Sequence, residues 1–310
     1  MSRTNAILLT LANLIMMSLG TVLTKWAMSD VPAFTMAWLP VAIGMGVLSL
    51  YTFGIRRERI PANLGRQVWI YLAIIGFINY FSSRVTQIIS LERLPANTHT
   101  YLFNFIGFLT MGMSIFILKE SPTVFQVLGA VTALFGLRIF FDQIPSATEL
   151  VGVLFVAISI TGIAYTNNIA RKLAMLTNFS LSNNIITTLA ILMGGSVMVL
   201  TGVATDWPPQ VHGWQNWAIV FYAGIFMVGV GLTVWNQILR TLRSYEASIL
   251  GASTVIWTSL LAIPILGETL DPNQMAGIGL MIVGLALVQV RVGTLAQVRA
   301  MMPKREKERG

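Results

Sequence analysis

There is no cysteine in this chain, and His99 and His212 are its only histidines, far apart from one another. That excludes disulfides, thiolate metal sites and a cysteine nucleophile, and it leaves no histidine spacing suited to a metal. Charge is scarce as well: 10% of the 310 residues are charged, where soluble domains carry about 25%. No Asp or Glu falls in the middle of a long apolar run, so the paired carboxylates of general acid–base chemistry are missing too. The sequence therefore reads as neither an enzyme nor a metalloprotein, and no cofactor is expected.

What is abundant is apolar surface, with 55% hydrophobic residues. A helix needs about 20 apolar residues to cross a bilayer. Ten stretches reach that length, at 5–25, 33–55, 67–90, 96–118, 123–141, 149–170, 180–202, 215–239, 246–266 and 273–291. Prolines 32, 61, 95, 122, 145, 208, 209 and 272 punctuate them. The first run ends in Lys25-Trp26 with no small-residue cleavage pattern, so it reads as an uncleaved span.

The net charge of +8 does not mark a nucleic-acid binder, because its placement follows the spans. With the N-terminus inside, sixteen of the 20 basic residues fall on one side, among them Arg56, Arg57, Arg59, Arg66, Arg171 and Lys172. Lys25, Arg93 and Arg138 fall on the other, and Arg84 lies within a span. Positive residues collect on the cytoplasmic side, so both termini are expected there, in a bacterial inner membrane. The mixed tail 293–310 reads as a solvated end near anionic lipid.

The chain also repeats itself. Shifted by 148 residues, Leu118-Lys119-Glu120 falls on Leu266-Gly267-Glu268, Gln126 on Gln274, Gly129 on Gly277 and Gly136 on Gly284. Each copy holds five spans, an odd number, so the copies cross the membrane in opposite directions. The expected fold is an all-α polytopic membrane protein of ten transmembrane helices in two inverted five-helix repeats, 1–143 and 144–292. Such inverted repeats are the architecture of solute carriers.

The segment Phe116-Ile-Leu-Lys-Glu120-Ser-Pro-Thr-Val-Phe-Gln126-Val-Leu-Gly129 and its partner Pro264-Ile-Leu-Gly-Glu268-Thr-Leu-Asp-Pro-Asn-Gln274-Met-Ala-Gly277 resemble the EamA-type repeats of the drug/metabolite transporter superfamily. Lys119 departs from the more usual glycine that Gly267 retains. Within the superfamily the chain resembles the bacterial exporters of aromatic amino acids. The resemblance implies a cavity between the two halves, with span 4 among its walls.

Glu120 and Glu268 each precede a new helix and are read as caps, with proton coupling the alternative. The recurrent glycines lie seven apart on one face and are read as close helix contacts. Arg84, with Tyr80, Ser83 and Gln87, gives span 3 a polar side. It is read either as a cation for a substrate carboxylate or as a side chain that snorkels outward or pairs with Glu92. Asn97, Tyr101 and Asn104 share a face of span 4, with His99 beside it; they are read as cavity lining or as interhelical hydrogen bonds. Span 6 offers Thr161, Tyr165 and Asn168, span 8 Trp235, and span 9 Thr254, Trp257 and Thr258. Trp26, Trp69, Trp207, Trp214 and Trp217 lie near span ends, as interface anchors do. Such walls suit a compact amphipathic solute, an amino acid with an aromatic or bulky apolar side chain. Substrate and lipid are the expected partners. Multidrug efflux lacks its buried acid, and a sugar-phosphate carrier lacks its basic cluster.

An epitope tag at either end should be reached only from the cytoplasmic side of intact spheroplasts. Protection of one end and exposure of the other would refute the even span number.

Overall fold

The computed structural model describes residues 3–61, 64–117, 119, 123–141, 146–177, 181–231, 234, 251 and 253–288. No strand occurs among them, and helix occupies the described part of each of the ten expected spans. Span 1 is Arg3–Ala27, and span 2 joins Ala33–Ser49 to a wide π turn at Leu50–Ile55. Span 3 runs through Arg66–Phe77, a π turn at Ile78–Ser82, and Ser83–Arg93. Span 4 is broken, Ala96–Phe103 then Ile106–Ile117. Spans 5 and 6 are Val124–Phe140 and Ala147–Leu176. Span 7 is Asn183–Ala190, a π turn at Ile191–Gly195, and Ser196–Thr205. Span 8 begins as Trp214–Tyr222 and continues as a long π segment, Ala223–Gly231. Spans 9 and 10 are described over Thr254–Leu266 and Pro272–Val288. Six helical runs are long and apolar enough to cross a membrane, and spans 5, 9 and 10 form shorter apolar helices.

The repeated signature residues turn out to shape one helical hairpin twice. Gly267 ends span 9 in the left-handed conformation, φ 69°, where its amide bonds back to Ile263 O at 3.1 Å. Glycine adopts that conformation without the Cβ clash other residues meet. Lys119, its equivalent, holds the same conformation at φ 57° and bears the clash. Gln126 Oε1 accepts from the Thr123 amide at 2.8 Å while Thr123 Oγ1 accepts from the Gln126 amide, a reciprocal cap on span 5. Gln274 Oε1 accepts from Asp271 N at 3.2 Å, the same reach at the start of span 10.

The inversion is visible in contacts between equivalent spans. Spans 5 and 10 cross antiparallel so closely that a Cβ on Gly136 would lie 2.8 Å from Gly277 O, one on Gly277 2.7 Å from Gly136 O, and one on Gly284 2.5 Å from Gly129 O. In lipid, where water gives helices no hydrophobic reason to associate, such approach supplies the attraction through dispersion. The expected packing role of these glycines is what the structure shows. Gly76 of span 3 abuts Ala190 O and Gly194 of span 7, and its equivalent Gly224 of span 8 abuts Pro40 O and Ile43 of span 2. π turns occur in spans 2 and 3 and again in their equivalents 7 and 8.

Trp26, Trp69, Trp207 and Trp214 are exposed at span ends as expected, whereas Trp217 is half-buried against Phe221.

Two substitutions test this account. Lys119→Gly should raise thermal stability by about 0.5–1 kcal/mol through relief of the left-handed strain. Gly136→Val should lower it by about 1–3 kcal/mol through overpacking, whereas Gly279→Ala, in open space, should leave the melting temperature in detergent unchanged.

Candidate functional site

Span 4 changes direction where its hydrogen-bond ladder tightens. The Asn104 amide is shared between Thr100 O at 3.2 Å and Tyr101 O at 3.3 Å, and the Phe105 amide reaches back only three residues, to Leu102 O at 3.1 Å. Helix resumes at Ile106. A break of this kind leaves carbonyls that need a partner, which inside a membrane confines it to protein or a cavity wall. Here Asn104 Nδ2 donates to Thr100 O at 2.8 Å and across to Thr254 Oγ1 of span 9 at 3.2 Å. One turn further along span 9, the half-buried Trp257 donates from Nε1 to Ser253 Oγ at 3.1 Å.

Span 3 carries the other irregularity. Its π turn admits an extra residue, so the Ser83 amide bonds to Ile78 O, five residues back. The expected face of positions 80, 83, 84 and 87 assumed an unbroken α-helix. The wide turn instead brings residues five apart into line, Asn79 with Arg84. The turn rests on Gly162 of span 6, whose Cβ would lie 2.9 Å from Ile78 Cγ2. Ser83 and Ser159 exchange hydroxyl-to-carbonyl bonds at 3.4 and 3.3 Å, and Thr166 Oγ1 donates to Asn79 Oδ1 at 2.7 Å.

Span 6 touches span 3 along its length and both halves of span 4, and span 4 touches span 9. The candidate residues therefore follow one continuous arc, spans 3, 6, 4 and 9. Most are engaged in holding it. Asn168 Nδ2 donates to Thr110 O at 3.1 Å and Ala164 O at 3.0 Å. His99 Nδ1 and Ser90 Oγ share a 2.8 Å bond that ties span 4 to span 3. Asn97 Oδ1 accepts from the Thr98 amide. Tyr101 is fully buried, its ring stacked on Phe140 at 4.0 Å and its hydroxyl 3.4 Å from Gly277 O. It thus packs span 4 on the pair of spans 5 and 10, turned from the face that Asn104 uses. Tyr165, 36% exposed, continues the outward stripe of Leu154, Ile158 and Thr161. Trp235 lies outside the described residues.

Tyr80 and Arg84 are different. Tyr80 wedges between two apolar clusters, and its hydroxyl finds no hydrogen bond among the described residues. Arg84 has its Nε buried with no partner, and no ion pair reaches it among the described residues. The expected alternative partner is taken: the Glu92 carboxylate bonds Arg93 at 3.1 Å. Asn13 Oδ1 on span 1 and the hydroxyls of Thr258 and Ser259 on span 9 are likewise buried without partners. Such atoms are costly in a dry interior, so they mark where a polar guest or water belongs. Asn13 had no repeat or motif to distinguish it in the sequence.

Glu268 is a cap, as expected, but of another helix. Its Oε1 accepts from Ala96 N at 2.6 Å and Oε2 from Asn97 N at 3.2 Å, at the start of span 4. Span 10 is capped by Gln274 instead, which frees the carboxylate to reach across the repeats. Glu120 lies outside the described residues. Lys25 completes the cluster, with Nζ donating to Leu91 O at 2.5 Å and Glu92 O at 3.0 Å, the last carbonyls of span 3.

The EamA-like transporter family matches residues 4–142 and again 150–290. The chain belongs to that family. It is a multi-pass membrane transporter, with the duplicated helical fold that the family match and the helices show together. An uncharacterized transporter of Clostridium kluyveri is 23% identical over 269 residues, 84% of this chain and 83% of its own. The S-adenosylmethionine/S-adenosylhomocysteine transporter of Chlamydia trachomatis is 23% identical over 297 residues, 91% of this chain and 88% of its own. A solved crystal structure covers 97% of this chain and is itself covered completely, with a TM-score of 0.67 and 18% identity, which shows the shared fold alone.

Replacing Glu268 by Ala should cost about 1 kcal/mol as the start of span 4 loses its acceptor. The melting temperature of the purified transporter checks this; an unchanged value would remove the cap.

Proposed function

We propose that the chain exports amino acids, with aromatic and bulky apolar ones preferred and related metabolites as lesser cargo. The two halves, 1–143 and 144–292, alternate their opening around a central site in the bacterial inner membrane, with both termini and the basic tail 293–310 cytoplasmic. The observation that carries the reading is Arg84, a guanidinium set within span 3 with a buried Nε and no partner. A charge there is costly unless something of opposite sign visits it, and an α-carboxylate is the smallest group that fits. Tyr80 on the same span and Trp257 beside the span 4 break offer aromatic surface to the side chain, and the amide of Asn104 stands at that break. Broken helices near the middle of the membrane are where carriers of this architecture hold their solutes.

The Chlamydia relative favours a second reading. Its named substrates, S-adenosylmethionine and S-adenosylhomocysteine, are amino acids with a large side group, and they would present the same carboxylate to Arg84. The two readings differ in how much room the aromatic end must give.

Proteoliposomes preloaded with labelled Phe, Trp, Met or S-adenosylmethionine separate them. Phe, Trp and Met should leave faster than from empty-lipid controls, and S-adenosylmethionine more slowly than these. Arg84→Ala should reduce the rate at least about tenfold, the worth of one charge-assisted hydrogen bond. Release of S-adenosylmethionine alone would install the second reading, and unchanged rates in Arg84→Ala would remove the arginine from the site.

A further inference from the structure

Two acids lie outside the site just described, and the repeat relates them: a shift of 148 carries Glu58 onto Asp206. Each sits just past the end of its span, Glu58 after span 2 and Asp206 after span 7. Each reaches the start of the other's span. Glu58 accepts from Ser182 Oγ in a very short bond and from Asn184 Nδ2 at 2.7 Å, where span 7 begins. Asp206 Oδ2 accepts from Thr35 Oγ1 at 2.6 Å and from Trp38 Nε1 at 2.7 Å, where span 2 begins. The two clamps are the same device at opposite ends of one antiparallel pair. Bonds to an ionised acceptor are roughly twice as strong as neutral ones.

The seam between the ends is closed as well. The Trp38 ring covers Gly202, where an added Cβ would lie 2.3 Å from Trp38 Cγ, and Val41 covers Gly195. Thr52 and Thr188 share a buried hydroxyl bond at 2.8 Å. Arg57 takes a left-handed turn, φ 51°, as the chain leaves span 2, and the Glu58 amide then bonds back to Thr52 O at 3.0 Å. A non-glycine residue holds that conformation only where its surroundings require it.

A carrier that opened by rocking span 2 against span 7 would have one of these ends apart in every state it occupies. Here both ends are joined in one structure. We infer that Glu58 and Asp206 clamp spans 2 and 7 together at both membrane faces at once, which makes this pair the static axle about which the other spans alternate. The span 4 break and the π turns of spans 3 and 8 then carry the motion, because those are the segments whose ladders already tolerate more than one register.

The absence of native cysteine makes the test direct. Thr52→Cys with Thr188→Cys cross-links one end, and Trp38→Cys with Gly202→Cys the other; Val41→Cys with Gly195→Cys replaces the second pair if loss of the tryptophan prevents folding. In the four-cysteine protein in native membranes, the second disulfide should form within about twofold of its rate in the protein carrying that pair alone. If the ends part alternately, the first cross-link depopulates the state the second requires, and its rate falls about tenfold or more; that result overturns the axle. Glu58→Gln should slow the disulfide at its own end about threefold and leave the far end unchanged, and no change at either end would take the role from the carboxylates. Exchange of labelled Phe by the doubly cross-linked protein should stay within about twofold of the reduced form, and a tenfold loss also overturns the proposal. If the reduced protein moves no amino acid, the cargo reading fails, while the cross-linking rates still decide the axle.

Discussion

A polar atom inside hydrocarbon must be bonded or it drains stability, and that single requirement organises this molecule. It accounts for the reciprocal serines of spans 3 and 6, for the asparagine that bridges the span 4 break to span 9, and for the histidine tied to Ser90. Side chains that a sequence presents as a row of binding groups are mostly fasteners between helices. The few atoms left without partners stand out against that background, and they gather on spans 1, 3 and 9: Asn13, Thr24, Arg84, Thr258 and Ser259. The remaining two, Ser49 and Asn216, stand on spans 2 and 8.

The same economy explains why the duplication survives at some positions and not at others. Gly136 and Gly277 meet backbone to backbone, so any side chain would force the two helices apart. Gln126 and Gln274 reach back to the amide three residues before them, at the turn into each hairpin's second helix. At positions 119 and 267 the backbone conformation is shared while the residue is not. The fold constrains the dihedral angle there, and strain is tolerated in one copy.

Much of the fold was legible in the sequence because its signals are coarse: apolar runs of membrane length, the side preference of Lys and Arg, and a repeat at fixed spacing. The site was less legible, for reasons that can be named. A π turn at Ile78–Ser82 breaks the period by which residues were placed on one face, and nothing in Ile-Asn-Tyr-Phe-Ser announces it. Tyr101 was equally plausible as lining or as packing until Phe140 was found stacked on it. Glu268 could be recognised as a cap, but not that it serves a helix from the other repeat. The pairing of Glu58 with Asp206 was within reach of the same 148-residue shift that revealed the glycines. It went unseen because a carboxylate in a loop carries no signature until its partners are located.

Lys25 gives the last consequence. Its equivalent in the second copy is Leu173, which is fully buried in an apolar cluster. Two identical halves of opposite sense would make the inward-facing and outward-facing shapes mirror counterparts, equal in energy by construction. A lysine that ties down span 3 at one membrane face, answered by a leucine at the other, removes that degeneracy. The resting population of the empty carrier is therefore unequal between its two orientations, and the imbalance is written into the chain rather than imposed by a gradient.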